Sequence, residues 1–492
     1  MTILLLKTAL LLVLLGLGGL GIVIWFVLRL RLNLLLTIGF SLVVGLGVYA
    51  AFVTALLLNA HFSASPVVAW GFGVVGLVSL LLALARGRWT LVRLLVPNRS
   101  QLGLLLLSLI LVAPIAVNAV LYPLTSWDAK MIWVLKAKAI YVQQHVPNTL
   151  YESDLFSSAH KDYPLGFPAL VAAHYQWFGG VSEQPVALTY VTFFWLLLVL
   201  TGGALERVLN PERRLRFAIF GLGAALFLIL LAGDPMLFAG LGLADVPLAS
   251  LFLAATVALL GLATSRITNR QTPWLWFLLG LSPALAALSI KNEGSAFALL
   301  YLVVGLSAVW LTRRRVVSVE THERSTPLIW WATAALPVLA TLVLPVVLWH
   351  GIKVRQGYRV DLLLPGLNRT VQFYLNQVIE VTHWFLSEWP RVDHWGWAIL
   401  PMTLLVPVVV AWWRTQRRPL VWLAPLGLLG AQLATYGVVY VTSPHDLTWH
   451  ITTSLDRLML HLVPTLYLTV TCLIVLLTQT KPVYSPRSGS TV

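Results

Sequence analysis

Runs of about 20 apolar residues recur along almost the whole chain, and each is long enough to cross the hydrocarbon core of a bilayer at 1.5 Å rise per residue. No soluble core holds so many, and the composition agrees. Of the 492 residues 59% are hydrophobic and 10% charged, against about 25% charged in soluble domains. The pattern predicts an all-α polytopic membrane protein of about thirteen transmembrane helices, near 4–28, 34–58, 66–85, 102–122, 184–204, 217–233, 244–264, 274–290, 294–311, 327–350, 396–413, 420–442 and 459–478. It divides into an N-terminal three-helix extension (1–101), a core (102–311) with an outer loop at 123–183, and C-terminal helices (312–492) with outer loops at 351–395 and 443–458. The first run is too long for a signal peptide and lacks a small-residue cleavage site, so it is expected to be retained. Cys472 is the single cysteine and lies in an apolar run, which excludes a disulfide framework or a thiolate metal site.

The net charge of +15 would suit nucleic acid in a soluble protein. Here it sorts by membrane side. Basic clusters at Arg29/Arg31, Arg86–Arg99, Arg207–Arg216, Arg266/Arg270, Arg313–Arg324, Arg414–Arg418 and the tail from Lys481 fall on alternate connections, which assigns those connections to the cytoplasm. That side holds most of the 33 Lys and Arg, but only Glu206, Glu212, Glu320 and Glu323 among the 18 acids. The charge reports topology, and no nucleic-acid partner is expected. The segment 166–178 is apolar but too short to span. Counting it as a span would reverse this order, so a helix in or dipping into the outer interface is expected. Gly16, Gly18 and Gly21 spell G-x-G-x-x-G inside a spanning run with no preceding strand, which reads as close helix packing.

A protein that merely spans needs no polar groups at depth, so function should show on the outer side. The first long loop opens SWDAKMIWVLKAKAIYVQQ. On a regular helical wheel Trp127, Met131, Val134, Leu135 and Val142 share one face and Lys136 and Gln143 the other, while Lys138 breaks the pattern. An interfacial helix is expected. Asp128 at its start fits two roles, a helix cap or a working carboxylate. His160, Lys161 and Asp162 follow, as a solvated turn or as a polar cluster able to hold a phosphate or an acceptor. Asp245 stands in apolar sequence two residues before Pro247 at a helix start, where it either caps or has a partner, since a lone carboxylate at that depth is costly. Lys291 and Glu293 sit between two spans separated by almost nothing, as an ion pair or a plain hairpin turn. The last outer loop carries His445, Asp446, His450, Asp456, Arg457 and His461. Arg457 and His461 are spaced i, i+4 and share a helix face, and the guanidinium fork suits an anionic oxygen. The histidine spacing there matches no standard metal pattern.

Together these residues resemble the GT-C superfamily of polyprenyl-phosphate-sugar-dependent glycosyltransferases, which includes protein O-mannosyltransferases and the bacterial transferases that add aminoarabinose to lipid A. The resemblance covers roughly residues 102–300. It rests on Trp127-Asp128-Ala129-Lys130 at the start of the large outer loop, Lys161-Asp162-Tyr163-Pro164-Leu165, and Ala244-Asp245-Val246-Pro247-Leu248 at a later helix start. The Asp456/Arg457 segment joins these as a late addition. In the family the first of these loops follows the first span; here it follows the fourth, and a single Pro164 replaces a Pro-Pro pair.

The resemblance implies transfer of a sugar, with inversion, from a polyprenyl-phosphate donor to an acceptor hydroxyl on the outer face. Asp128 is then the expected base, and Lys161, Arg457 and His461 the donor-phosphate ligands. Asp162, Asp245 and His160 would orient the acceptor or hold a divalent cation, for which carboxylates suit Mg²⁺ or Mn²⁺. Lys291, Glu293 and Asp456 are further candidates. The partners expected are the donor lipid and membrane lipids, and the location expected is a bacterial cytoplasmic membrane with the active face outside. Two other classes stay open: a lipid or sugar transporter or flippase, and a non-catalytic membrane subunit of a larger complex. A transporter would favour ionisable groups at mid-membrane and repeated halves.

Overall fold

The computed structural model describes residues 2–86, 88–153, 156, 159–208, 242–264, 271–314, 328–357, 371–388, 392–415, 419–443 and 445–478. Among the described residues regular structure is entirely helical. The long helices are α1 (Thr2–Leu30), α2 (Leu34–Leu58), α3 (Ser65–Ala85) and, after the short α4 (Trp89–Leu95), α5 (Arg99–Leu121). A π-helical turn (Ala129–Val134) leads into α6 (Leu135–Gln143), followed by α7 (Asn148–Glu152), α8 (Gly166–Phe178) and α9 (Glu183–Val208). Then come α10 (Asp245–Thr264), α11 (Thr272–Ala287), α12 (Glu293–Arg313), α13 (Leu328–Gln356), α14 (Val371–Glu388), α15 (Val392–Thr415), α16 (Ala424–Val441) and α17 (Leu447–Thr478). Short polar signals start several of them. Asn33 accepts from the Leu36 amide, Asn98 and Gln101 form a reciprocal capping box, and Pro stands in the first turn of α3, α11 and α16.

Eleven helices among the described residues are long and apolar enough to cross a membrane. The chain is an integral membrane protein by that measure. Of the other two expected spans, 217–233 lies outside the described residues. The span at 396–413 falls within α15, a helix of 24 residues. The bundle is built around α10, buried over nearly its whole length and flanked by α9, α11 and α17. The first three helices are tied into it: α2 packs on α8, α9 and α13 as well as on α1.

Three local expectations need correction. The stretch 443–458 is not a loop beyond Leu447, because α17 begins there and runs unbroken to Thr478, so His450, Asp456 and Arg457 ride on the same helix as His461. The loop at 351–395 likewise contains α14, and α13 continues through Gln356. Finally, α8 does not lie at a surface. Gly166–Tyr175 are buried, because α2 and α6 cover them.

The G-x-G-x-x-G run serves helix contact. A Cβ at Gly19 would stand 1.7 Å from the Ser41 carbonyl oxygen, and one at Gly45 would stand 2.1 Å from that of Leu15. The backbones of α1 and α2 therefore touch, as small residues permit in membranes. Gly45→Ala should force the two helices apart and cost about 1–3 kcal/mol, the usual range for overpacking. Gly71→Ala, with open space around it, should be neutral or slightly stabilising. Thermal unfolding in detergent checks both, and equal effects would contradict the contact.

Candidate active site

Polar residues from several distant segments converge on Asp245, the first residue of α10. Its carboxylate is fully buried. Oδ1 accepts from Lys291 Nζ at 2.9 Å and from His461 Nε2 at 2.8 Å; Oδ2 accepts from Arg457 Nη2 at 3.2 Å. The capping alternative is thus displaced by three side-chain partners. Lys291 also pairs with Glu293 at 3.0 Å. Because a carboxylate only accepts, His461 Nε2 carries the proton, and in the neutral ring Nδ1 accepts from the Tyr436 hydroxyl at 3.0 Å. Neither the α11–α12 hairpin nor α17 could leave these groups at such depth unpaired.

Arg457 reaches further. Its Nη1 donates to Asp128 Oδ2, so one guanidinium bonds two carboxylates from distant parts of the chain. Asp128 makes no side-chain cap at the helix it precedes, which leaves its carboxylate to Arg457. The two carboxylates differ in access: the Asp128 side chain is 22% exposed and that of Asp245 0%. Local backbone geometry brings the segments together. Gly242 has φ +101°, where L side chains are strained, and a Cβ there would come within 2.5 Å of Ala129 Cβ. The turn before Asp245 thus presses against the residue that follows Asp128.

The π-helical turn after Asp128 also explains why the wheel reading of this segment fails. A regular 3.6-residue period does not apply through Ala129–Val134. Ile132, Trp133, Lys136, Ala137 and Ile140 form the buried side, while Trp127, Met131 and Val142 are exposed and Val134 is buried. Lys136, expected opposite the apolar face, is buried and donates to the His160 carbonyl at 2.6 Å.

The second polar segment lies alongside. Asp162 is buried; its Oδ2 accepts from Asn292 Nδ2 at 2.6 Å and its carbonyl from Lys353 Nζ at 2.7 Å. Through Asn292 it abuts the Lys291/Glu293 turn. His160, Tyr163 and Trp133 stack, with centroid separations of 4.9 and 5.3 Å. Lys161 is turned elsewhere: its Nζ donates to the Ser153 carbonyl at 2.8 Å, and the lysine beside Asp245 is Lys291. Asp456 Oδ1 accepts from the Arg457 amide at 2.7 Å. His445 and His450 stand apart, with Ser443 Oγ on His450 Nδ1 at 2.8 Å. Among the described residues no group of three His, Cys, Asp or Glu is placed to hold a metal ion. Asp245, one of the carboxylates weighed for Mg²⁺ or Mn²⁺, has its oxygens on Lys291, His461 and Arg457 instead.

Sequence reasoning missed Tyr163, Asn292, Lys353 and Tyr436. Tyr163 had a readable signal, an aromatic ring between Asp162 and Pro164. Burial pushes its phenol well above the ordinary value, and the negative charges of Glu293, Asp162 and Asp245 add to this. Lys291 feels opposing effects. Burial lowers its pKa, but Asp245 and then Glu293 outweigh it and hold the ammonium above its usual value.

Comparison with protein-family models, with curated proteins and with solved structures finds no match.

Two outcomes follow from the charge balance. Asp245→Asn leaves Arg457 and Lys291 without their buried counter-charge and should cost about 3–5 kcal/mol, read by chemical or thermal unfolding in detergent; a loss under about 1 kcal/mol would contradict the pairing. The second is alkaline sensitivity. Lys291 and Tyr163 both hold their protons more tightly folded than unfolded, so their contribution is complete below the unfolded values near pH 10 and is lost as pH rises past them. Tyr163→Phe should flatten the alkaline fall in stability, by at most about 1.4 kcal/mol per pH unit; an unchanged slope would remove Tyr163 from the account.

Proposed function

We propose that the chain is a GT-C-type inverting glycosyltransferase that moves a sugar from a polyprenyl-phosphate donor to an acceptor hydroxyl. It works at the outer face of a bacterial cytoplasmic membrane. The observation that carries this reading is the single guanidinium of Arg457 joining Asp128 to Asp245, with Lys291 and His461 on the same carboxylate. Such a transfer needs a base for the acceptor proton and cations for the departing phosphate, and these side chains supply both within one cluster.

Exposure separates the two carboxylates by role. Asp128 is open enough to meet an acceptor and is the base. Asp245, fully buried, keeps Arg457, Lys291 and His461 in place. In the reaction the acceptor oxygen attacks the anomeric carbon from the face opposite the phosphate and its proton passes to Asp128. The bond from that carbon to the phosphate oxygen breaks, and the electron pair leaves on the lipid phosphate. The phosphodiester becomes a monoester and gains negative charge, which Arg457 and Lys291 stabilise at fixed positions. Arg457 is shared between Asp128 and the incoming phosphate, so donor binding loosens its hold on the base. The basic clusters on alternate connections support an orientation with this end of the bundle outside the cytoplasm.

The test is purified full-length protein incubated with a panel of radiolabelled polyprenyl-phosphate sugars, scored by loss of sugar from the lipid. Wild type should release sugar from at least one donor. Asp128→Asn should slow release by about 10²–10⁴-fold, the span of general-base contributions, with the melting point kept within a few degrees. Full activity of Asp128→Asn removes it as base. No release from any donor, with donor exchange between leaflets observed instead, would favour a flippase.

A further inference from the structure

One helical turn deeper than the Asp245 cluster, a second set of polar side chains is buried. Gln432 on α16, Thr256 on α10, and Thr465 and Thr469 on α17 are each at most 1% exposed. Among the described residues no hydrogen bond reaches Gln432 Nε2 or Oε1, or the hydroxyl of any of these three threonines. Gln432 lies close to the Tyr436 hydroxyl without bonding it. Threonines elsewhere in the spans are satisfied locally: Thr54 donates to the Ala50 carbonyl and Thr312 to that of Ala308, each at 2.7 Å. Thr256, Thr465 and Thr469 make no such bond, which leaves their hydroxyls for partners across the seam.

Contacts one turn nearer the outer face put these residues at one level. Tyr440 meets Ser454 and Tyr436 meets His461, so α16 and α17 run in opposite directions. Asp245 meets Arg457, and the Phe252 ring meets that of His461 at 5.9 Å, so α10 and α17 run the same way. A step of four residues along one helix face leads from Tyr436 to Gln432, from His461 to Thr465 and from Phe252 to Thr256. The three helices pack on one another, so the steps end in one seam. Thr469 follows a turn later, about 12 Å along α17 from His461. Pro464 adds a backbone acceptor, because it has no amide to offer the Leu460 carbonyl. Such a seam is costly when dry, since neither hydrocarbon nor apolar side chains can pair these groups. Tyr436 has the same need: its one proton goes to His461 Nδ1, which leaves its oxygen only as an acceptor. The amide and the hydroxyls are neutral and both donate and accept, which matches water and offers no charge to hold an ion.

We propose that the seam between α10, α16 and α17 binds a short string of ordered waters, held by Gln432, Thr256, Thr465 and Thr469 and reaching the Tyr436 oxygen. A buried water makes about three hydrogen bonds, and these groups supply them. The string extends the chain of Asp245, His461 and Tyr436 toward the middle of the bundle. It does not depend on the transferase reading.

The test is the sign of a stability change. Thr465→Val and Thr469→Val keep the side-chain shape and remove the hydroxyl. In a dry seam that deletion removes a penalty and stabilises the full-length protein; in a wet one it strands the waters and their other ligands. In unfolding titrations in mixed detergent micelles, each variant should lower the folding equilibrium constant by about tenfold. T256V/T465V should lose less than the two single losses multiplied together, because the two hydroxyls share waters. T54V, whose hydroxyl returns to its own helix, should stay within about twofold of wild type. Unchanged or raised stability of T465V and T469V overturns the proposal, as does full independence of Thr256 and Thr465. Wild type decides the matter where a variant does not fold. With threonine methyls labelled in a deuterated background, long-lived nuclear Overhauser contacts from water should reach the methyls of Thr256, Thr465 and Thr469. Their absence at all three overturns the water string and leaves direct pairing among these side chains instead.

Discussion

A carboxylate removed from water inside a membrane bundle is tolerable only with its charge answered on every side, and Asp245 is answered by Arg457, Lys291 and His461. Those partners come from the α11–α12 hairpin and from α17, and through Arg457 the network extends to Asp128. One buried charge therefore sets the relative positions of four chain segments. Removing any partner leaves the others in low dielectric without compensation, which couples the geometry of the site to the stability of the bundle.

That coupling has a chemical consequence. Side chains held by buried ion pairs do not reorganise when a new charge develops nearby, and such preorganisation is what lowers the cost of a charged transition state. Lys291 sits between Asp245 and Glu293, and Arg457 between Asp245 and Asp128. Each cation at the site has one ligand that is inaccessible and one that is closer to the surface. Under the proposed transferase reaction, a phosphate arriving from the open side would compete with the accessible ligand while the buried one keeps the cation in place. The stacked ring of Tyr163 and the buried Asp162 form the neighbouring wall, tied to the same hairpin by Asn292.

The distribution of charge over the molecule follows the same economy. At the site end acids and bases neutralise one another in pairs. At the opposite end the Arg88 guanidinium rests on the indole of Trp25.

The crossing helices were readable in the sequence because a bilayer imposes both a length and a composition on every span. Asp128, Asp245, Lys291, Arg457 and His461 were readable as polar residues out of place, since apolar surroundings make any charge conspicuous. What they do to one another was not. The choice between cap and partner for Asp128 and Asp245, the pairing of Lys291 with the buried carboxylate, and the inward turn of Lys136 depend on contacts between segments 24 to 329 residues apart. The π-helical turn after Asp128 broke the period on which the wheel relied, and α17 extended through a stretch whose polar residues resemble a loop, because its charges face partners rather than water. Local sequence determines which segments enter the membrane and where polarity is concentrated. Only tertiary packing decides which charge neutralises which, because that depends on distances no sequence window contains.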